Sequence, residues 1–272
     1  MVSITELANK YGTDKGTQNS LGLAYSIVYD ALFCSLKEKH VAIAEIGLQC
    51  GGPELGHSKD RATTDMPSVK VWTEYFPDSH VWGLDISDFS QFNSSQFTYV
   101  NVDCGNTESL KRAAAQLPPI DIFVDDGSHA SRHQQLALIH MITKVKPGGY
   151  YIIEDLHWQP AEIEANYPSS VTTSNILLRR TDLGLDDIGV QFLNAMSSLD
   201  CVGVYSKAGL SSLRKDYNTI NRIPMHWWDT REERSVRHYA SGLYKALTGK
   251  PHKFPPHYVY LAVFRKPGHL SG

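Results

Sequence analysis

Short apolar runs alternate with amphipathic segments over most of the chain, which is the pattern of a sheet covered by helices. The runs are rich in β-branched and aromatic residues and fall at residues 41–46, 80–86, 96–100, 120–124 and 150–153. Continuous apolar runs of this length are typical of strands buried on both faces of a parallel sheet. The amphipathic segments between them predict helices at residues 68–75, 107–116 and 132–144.

This alternation predicts right-handed βαβ units, and therefore an α/β, Rossmann-like fold with a mostly parallel, seven-stranded sheet flanked by helices. Two late strands are expected at residues 201–205 and 257–264, after a helix at residues 185–198. The Pro-Gly-Gly at residues 147–149 predicts a break before the fifth strand. The polar residues 206–256, which include His226-Trp-Trp228, are expected to form either a lid or a surface excursion along one sheet edge.

The length of 272 residues suits one large α/β domain, so we expect a single catalytic domain over residues 1–272. Residues 1–36 are expected to form an N-terminal helical cap, with helices at residues 4–10 and 23–36. Residues 37–156 should form the core that binds cofactor and metal, and residues 157–272 should face the substrate.

The composition argues against nucleic acid and membranes as binding partners. The net charge of −3, from 26 basic and 29 acidic residues, provides no basic excess that would attract nucleic acid. No run approaches the roughly 20 apolar residues of a membrane span, and the first residues lack the apolar core of a signal peptide. The four cysteines have no metal-binding spacing and are expected to be free thiols in a reducing compartment. We therefore expect a cytoplasmic protein that acts on a small molecule. Separately, we expect a homo-oligomer.

Glycines and acids at the ends of the first three predicted strands indicate a nucleoside site. The first strand ends in Glu45-Ile-Gly47, and Gly51-Gly52 follows, so that backbone can come close to a ligand in the crevice. Asp85, after the second strand, is placed to bind ribose hydroxyls, and Asp103, after the third, to meet the adenine edge. Because the sequence there lacks a phosphate-cradling G-x-G-x-x-G, S-adenosylmethionine fits better than NAD or ATP. A plain turn or a helix cap would explain any one of these residues alone.

Four carboxylates and a histidine follow the fourth and fifth predicted strands, namely Asp125, Asp126, His129, Glu154 and Asp155. Uncompensated carboxylates this close would repel one another, and a divalent cation resolves the conflict. Oxygen ligands favour Mg²⁺ or a similar hard ion. Side chains alternate along a strand, so we expect Asp126 rather than Asp125 to face the cleft, with Glu154 and Asp155 completing the ligand set. The alternative is that Asp126 caps the next helix and that the later acids are solvated turn residues.

These motifs resemble the metal-dependent sugar O-methyltransferases of antibiotic biosynthesis, such as the mycinamicin and rhamnosyl O-methyltransferases. The resemblance lies in Tyr11-Gly-Thr-Asp-Lys-Gly16, Asp125-Asp126-Gly-Ser-His129 and Ile153-Glu154-Asp155-Leu156, and it covers residues 9–158. It implies a class I methyltransferase fold, with S-adenosylmethionine and Mg²⁺ as cofactors. The implied reaction is methyl transfer to a hydroxyl of a sugar or polyketide-type natural product.

The resemblance also implies residue roles. Asp85 would bind the ribose, Asp126, Glu154 and Asp155 would hold Mg²⁺, and His129 would be the general base. The remaining expected cofactor-binding residues are Glu45, Gly47, Gly51, Gly52, Asp103 and Asp125. Cephalosporin-hydroxylase-like proteins share the architecture and the acids, so a metal-dependent enzyme without methyl transfer is one alternative. A non-catalytic S-adenosylmethionine-binding module is a second.

Overall fold

The computed structural model describes residues 2–19, 21–178, 184–221 and 259–268. The strands are β1 Ala42–Ile46, β2 His80–Asp85, β3 Phe97–Asn101, β4 Ile120–Asp125, β5 Val145–Ile153, β6 Asp200–Ser206 and β7 Val259–Arg265. The helices are α1 Ile4–Tyr11, α2 Tyr25–Phe33, α3 Pro67–Tyr75, α4 Thr107–Gln116, α5 Ser131–Met141, α6 Ala161–Glu164, α7 Thr173–Leu177, α8 Asp187–Ser197 and α9 Lys207–Ile220.

The strands form one seven-stranded sheet in the order β3-β2-β1-β4-β5-β7-β6. β1 to β5 pair in parallel, whereas β7 runs antiparallel to both β5 and β6. This arrangement confirms the predicted α/β, Rossmann-like fold with a mostly parallel sheet. Within the described ranges, none of the helices has the length and apolarity needed to cross a bilayer.

Helices cover both faces of the sheet, and successive strand residues pack against opposite layers. Ile43 and Ile122 pack into the layer that contains α1, α2 and α3, whereas Ala44 and Phe123 pack into the layer that contains α4, α5 and α8. Because side chains alternate between the faces of a strand, both sets must be apolar, which explains the continuous apolar runs. Each fully buried large side chain contributes about 1.5–3 kcal/mol relative to an exposed one. The resulting rigid sheet fixes the positions of the strand ends.

The fifth strand starts earlier than predicted. β5 begins at Val145 and runs through the Pro-Gly-Gly, because Gly148 adopts a positive φ of 81° and its N–H donates to Lys266 O at 2.7 Å. Lys266 N in turn donates to Gly149 O at 2.9 Å, so the chain after β7 holds the segment in the sheet.

The helices also differ from the prediction in part. The helix expected at residues 23–36 is the shorter α2 followed by a 3₁₀ turn at Cys34–Leu36. α6, α7 and α9 were not predicted, and α9 occupies the start of the segment expected to be a lid or surface excursion. The rest of that segment, with His226-Trp-Trp228, lies outside the described residues. The division into cap, core and substrate-facing part stays a prediction.

Candidate active site

The carboxyl ends of the parallel strands form one edge of the sheet, and the predicted site residues follow them directly. Ile46 at the end of β1 pairs with Asp125 at the end of β4. Gly47 and Asp126, which directly follow these two strands, therefore lie side by side. A cavity of about 760 Å³ opens at this edge, a size that suits a small-molecule ligand. Among the predicted site residues, those that line it are Gly47, Gly52, Asp85, Asp103, Asp126, His129 and Asp155.

Gly47 is required by the close approach of two backbones. Its φ is +85°, and a Cβ at this position would lie 1.9 Å from the carbonyl oxygen of Asp126. Asp126 N donates to Ile46 O at 2.9 Å, which ties the two strand ends together. A side chain at residue 47 would therefore have to displace the backbone that carries the Asp126 carboxylate.

The two glycines in the loop after β1 bond within the loop itself. Gly51 has a φ of +100°, and the N–H groups of Gly51 and Gly52 donate to Glu54 Oε1 at 3.1 and 2.7 Å. Gly52 lines the cavity, whereas Gly51 is not among its lining residues.

Asp85 is held in a fixed orientation at the end of β2. Its Oδ2 accepts the N–H of Leu48 at 2.9 Å, and its Oδ1 accepts the N–H of Ser87 at 2.8 Å. Burial raises the pKa of the Asp85 carboxyl, and the two backbone hydrogen bonds oppose that effect. The remaining lone pairs are available for the hydroxyl groups of a ligand, as ribose binding requires.

The cavity wall beyond β3 combines an acid with two residues from the β4–α5 segment. Asp103 Oδ1 accepts the N–H of Gly105 at 2.9 Å. Ser128 Oγ and His133 Nδ1 are hydrogen-bonded at 2.7 Å, and both residues line the cavity. Burial lowers the pKa of His133, which favours the neutral imidazole.

Asp126, His129 and Asp155 can offer ligand atoms that all lie within 4.8 Å of one another. His129 and Asp155 adopt left-handed backbone conformations, with φ of 60° and 51°. Such conformations cost a non-glycine residue about 1–2 kcal/mol, so the surrounding structure must enforce them. Burial and the charge of Glu154 raise the pKa of Asp126 well above its usual range, against the opposing charge of Lys15. The two carboxylates, crowded in this way, fit a hard divalent cation beside the His129 imidazole.

Glu154, the third predicted metal ligand, lies beside this group, but both of its carboxylate oxygens accept hydrogen bonds from other side chains. It is buried, its Oε1 accepts the hydroxyl of Tyr29, and its Oε2 accepts Lys15 Nζ at 2.7 Å. Burial raises the pKa of Glu154 to about 7, while Lys15 and Tyr29 act in the opposite direction. Lys15 Nζ also contacts Asp126 and so joins the two acids.

Sequence reasoning gave no role to three residues of the N-terminal segment that contact these acids. Besides Lys15 and Tyr29, the hydroxyl of Tyr25 donates to Asp155 Oδ1 at 2.6 Å. Each predicted metal-binding carboxylate therefore accepts a hydrogen bond from residues 15–29. The signals in the sequence are the motif at residues 11–16 and the tyrosines of residues 24–29, a partial match to a tyrosine-rich stretch of the family, and neither was given a function.

Two of the acids predicted to bind the cofactor are buried and do not line the described cavity. Glu45 Oε2 accepts the indole N–H of Trp72 at 3.0 Å, and Lys15 Nζ lies 3.7 Å from Glu45 Oε1. Asp125 accepts a hydrogen bond from the Tyr151 hydroxyl at 3.4 Å, and burial raises the pKa of Asp125 to about 7. The structure thus places both acids behind the cavity surface.

His129 is a mostly buried histidine beside Asp155. Burial lowers its pKa, although the charge of Asp155 opposes this, so the imidazole is neutral near pH 7. His129 Nε2 lies 3.9 Å from Asp155 Oδ2, and Nδ1 is buried without a hydrogen-bond partner among the described residues. The Trp158 ring meets the His129 ring edge-on, with centroids 5.3 Å apart.

Comparisons with known proteins agree with the resemblance noted from the motifs. No protein-family model matches the chain. The chain is 32% identical over 182 residues to the 8-demethyl-8-alpha-L-rhamnosyl tetracenomycin-C 2'-O-methyltransferase of Streptomyces olivaceus, which covers 66% of this chain and 44% of that protein. It is 32% identical over 158 residues to the mycinamicin VI 2''-O-methyltransferase of Micromonospora griseorubida, covering 56% of this chain and 36% of that protein. The chain thus spans less than half the length of these relatives.

The structural comparison gives the same result. The fold matches the MycE methyltransferase from the mycinamycin biosynthetic pathway, in complex with Mg, SAH and mycinamycin VI, with a TM-score of 0.55 and 27% identity. The match covers 75% of this chain and 52% of MycE. The chain therefore has the class I methyltransferase fold, and its resemblance to the sugar O-methyltransferases of macrolide and tetracenomycin biosynthesis is confirmed.

Proposed function

We propose that the protein is a Mg²⁺-dependent O-methyltransferase that moves a methyl group from S-adenosylmethionine to a hydroxyl of a sugar or polyketide-type natural product. The observation that carries this proposal is the convergence of Asp126, His129 and Asp155 on the cavity that Gly47 and Asp85 also line. One cavity thereby offers a nucleoside site, a cation site and a neutral base. The names of the similar proteins support methyl transfer to antibiotic sugars.

The residues divide into two groups. Asp85 would accept the ribose hydroxyls, and the Gly47 turn and Asp103 would bound the nucleoside. Asp126 and Asp155, with Glu154 as the third predicted ligand, would hold Mg²⁺. Glu45 and Asp125 would support the nucleoside site from behind the cavity surface, and Gly51 would shape the loop beside it.

His129 would perform the proton transfer. When bound, the cation lowers the pKa of a coordinated acceptor hydroxyl, and the cofactor supplies an electrophilic methyl group. His129 Nε2 would take the hydroxyl proton as the acceptor oxygen attacks the methyl carbon. The electron pair of the C–S bond would remain with the departing S-adenosylhomocysteine, so the step would balance without a further reactant. Most of the rate enhancement would come from positioning and from charge stabilisation.

Calorimetry of S-adenosylmethionine binding in the presence of Mg²⁺ tests the cofactor. We expect saturable binding with a Kd on the order of micromolar, which corresponds to about −8 kcal/mol. Absence of binding, with no thermal shift from S-adenosylhomocysteine, would contradict the nucleoside site.

Formation of S-adenosylhomocysteine with and without a chelator tests the reaction. We expect turnover with a glycosylated macrolide or rhamnosylated polyketide, and loss of turnover after exhaustive chelation. Activity that survives chelation would remove the metal from the proposal. Cofactor binding without methyl transfer to any acceptor would instead favour a non-methylating enzyme or a binding module.

The expected cytoplasmic location, the homo-oligomeric state and the absence of a nucleic-acid partner stay predictions. Light scattering after size-exclusion chromatography tests the oligomeric state, and a titration with duplex DNA at low salt tests nucleic-acid binding.

A further inference from the structure

The loop between α1 and α2 places a buried lysine among the strand-end acids. Lys15 is 4% exposed, contacts Asp126, and donates to Glu154 Oε2 at 2.7 Å. Its Nζ also lies 3.7 Å from Glu45 Oε1. Three acids from the ends of β1, β4 and β5 therefore share one ammonium group.

The loop is built to hold Lys15 in this place. The carbonyl of Lys15 accepts the N–H of Ser26 at 2.9 Å. Asn9 Oδ1 accepts the N–H of Thr17 at 2.8 Å and that of Gln18 at 3.0 Å. The N–H of Lys15 donates to Thr13 Oγ1 at 3.3 Å, so the backbone is bonded on both sides of Lys15 and starts its side chain close to the acids.

The ammonium group balances charge that would otherwise be buried without compensation. Lys15 Nζ bonds Asp126 and Glu154 directly and lies 3.7 Å from Glu45 Oε1, so one cationic side chain faces three carboxylates. A buried charge without a partner is strongly destabilising, so neither the acids nor the lysine would be tolerated alone.

We propose that Lys15 is a positioning residue that acts as an internal counter-cation: it holds the strand-end acids together without metal and weakens the affinity of the adjacent metal position. The positive charge of Lys15 repels a divalent cation at Asp126 and Asp155, so metal binding stays reversible. The second part of this inference rests on the metal in the proposed function, whereas the first part does not.

The test compares Lys15→Met, which keeps the length of the side chain and removes its charge, with Lys10→Met. Lys10 is the matched control, because it is an exposed lysine on the same segment that pairs with Glu74 at the surface. Mg²⁺ alone is titrated by calorimetry, and melting temperatures are recorded in chelator and in Mg²⁺.

We expect Lys15→Met to melt below the wild type in chelator, to regain stability in Mg²⁺, and to bind Mg²⁺ about tenfold more tightly or better. Lys10→Met should match the wild type in both measurements. A Mg²⁺ affinity of Lys15→Met that is equal to or weaker than that of the wild type would overturn the proposal.

A second variant keeps the test informative if Lys15→Met does not fold. Lys15→Met/Glu154→Gln removes one positive and one negative charge, so it should recover most of the stability that the single variant loses in chelator. No recovery would overturn the role of Lys15 as counter-cation. If neither wild type nor Lys15→Met binds Mg²⁺, the metal in the proposed function fails, while the comparison of single and double variants still decides the charge-balance role.

Discussion

Gly47→Ala should destabilise the protein through two separable effects. At a φ of +85°, an L-residue costs about 1–2 kcal/mol relative to glycine. The added Cβ would also overlap Asp126 O at 1.9 Å, and overpacking of this kind adds about 1–3 kcal/mol. The sum of about 2–5 kcal/mol is a large fraction of the roughly 5–15 kcal/mol that stabilises a typical domain.

Gly56→Ala is the matched control, because Gly56 has a similar φ of +78° and a Cβ there would meet nothing within 4 Å. It should lose only the backbone contribution, about 1–2 kcal/mol. Urea denaturation followed by tryptophan fluorescence measures both variants. Because it displaces the Asp126 backbone, Gly47→Ala should also weaken Mg²⁺ binding, whereas Gly56→Ala should not. Equal destabilisation of the two variants would refute the argument from close approach.

Three further variants probe the site. His129→Ala should lower turnover by about 10²–10⁴-fold, the usual contribution of a general base, while S-adenosylmethionine still binds by calorimetry; unchanged turnover would remove His129 from that role. Asp85→Ala should weaken S-adenosylmethionine binding about tenfold or more without changing Mg²⁺ affinity, because it removes a charged acceptor for ribose hydroxyls; an unchanged cofactor Kd would argue against that contact. His133→Gln should flatten the pH dependence of stability. Burial lowers the pKa of His133 in the folded state, so its contribution is fully present above the unfolded pKa of about 6.5. It starts to be lost below that value and is gone once pH has fallen through the lower folded pKa. Urea denaturation of wild type and variant at pH 5.5 and 7.5 measures this, and identical slopes would contradict it.

The strand-end residues could be predicted because parallel strands bring their carboxyl ends to one edge. Apolar runs located β1, β2 and β4, and the polar residues that follow, including Asp85 and Asp126, lie at the cavity. Position at a strand end alone did not exclude Glu45 and Asp125 from the residues expected to bind the cofactor. Glu45 and Asp125 fall at strand ends as well, yet their side chains bond Trp72 and Tyr151.

The role of Lys15 could not be read from local sequence. It lies 111 residues from Asp126, and only the packing of α1 and α2 against the sheet brings the two together. Its neighbours Tyr25 and Tyr29 look like ordinary core aromatics on α2, because their rings are buried and only their hydroxyl groups reach the acids. The left-handed conformations of His129 and Asp155 were equally hidden, since neither residue type signals a positive φ as glycine does.

Hydrogen-bond donors from residues 15–29 bond the carboxylates that follow β4 and β5, so the N-terminal segment and the sheet depend on each other. In a hybrid enzyme assembled from two relatives, a junction between α2 and β1 would separate the carboxylates from the lysine and tyrosines that hold them. Such a chimera would keep its reaction centre only if both parents presented those groups with the same spacing. Exchanging segments that follow Asp155 avoids that junction and keeps these donors and carboxylates in one parent.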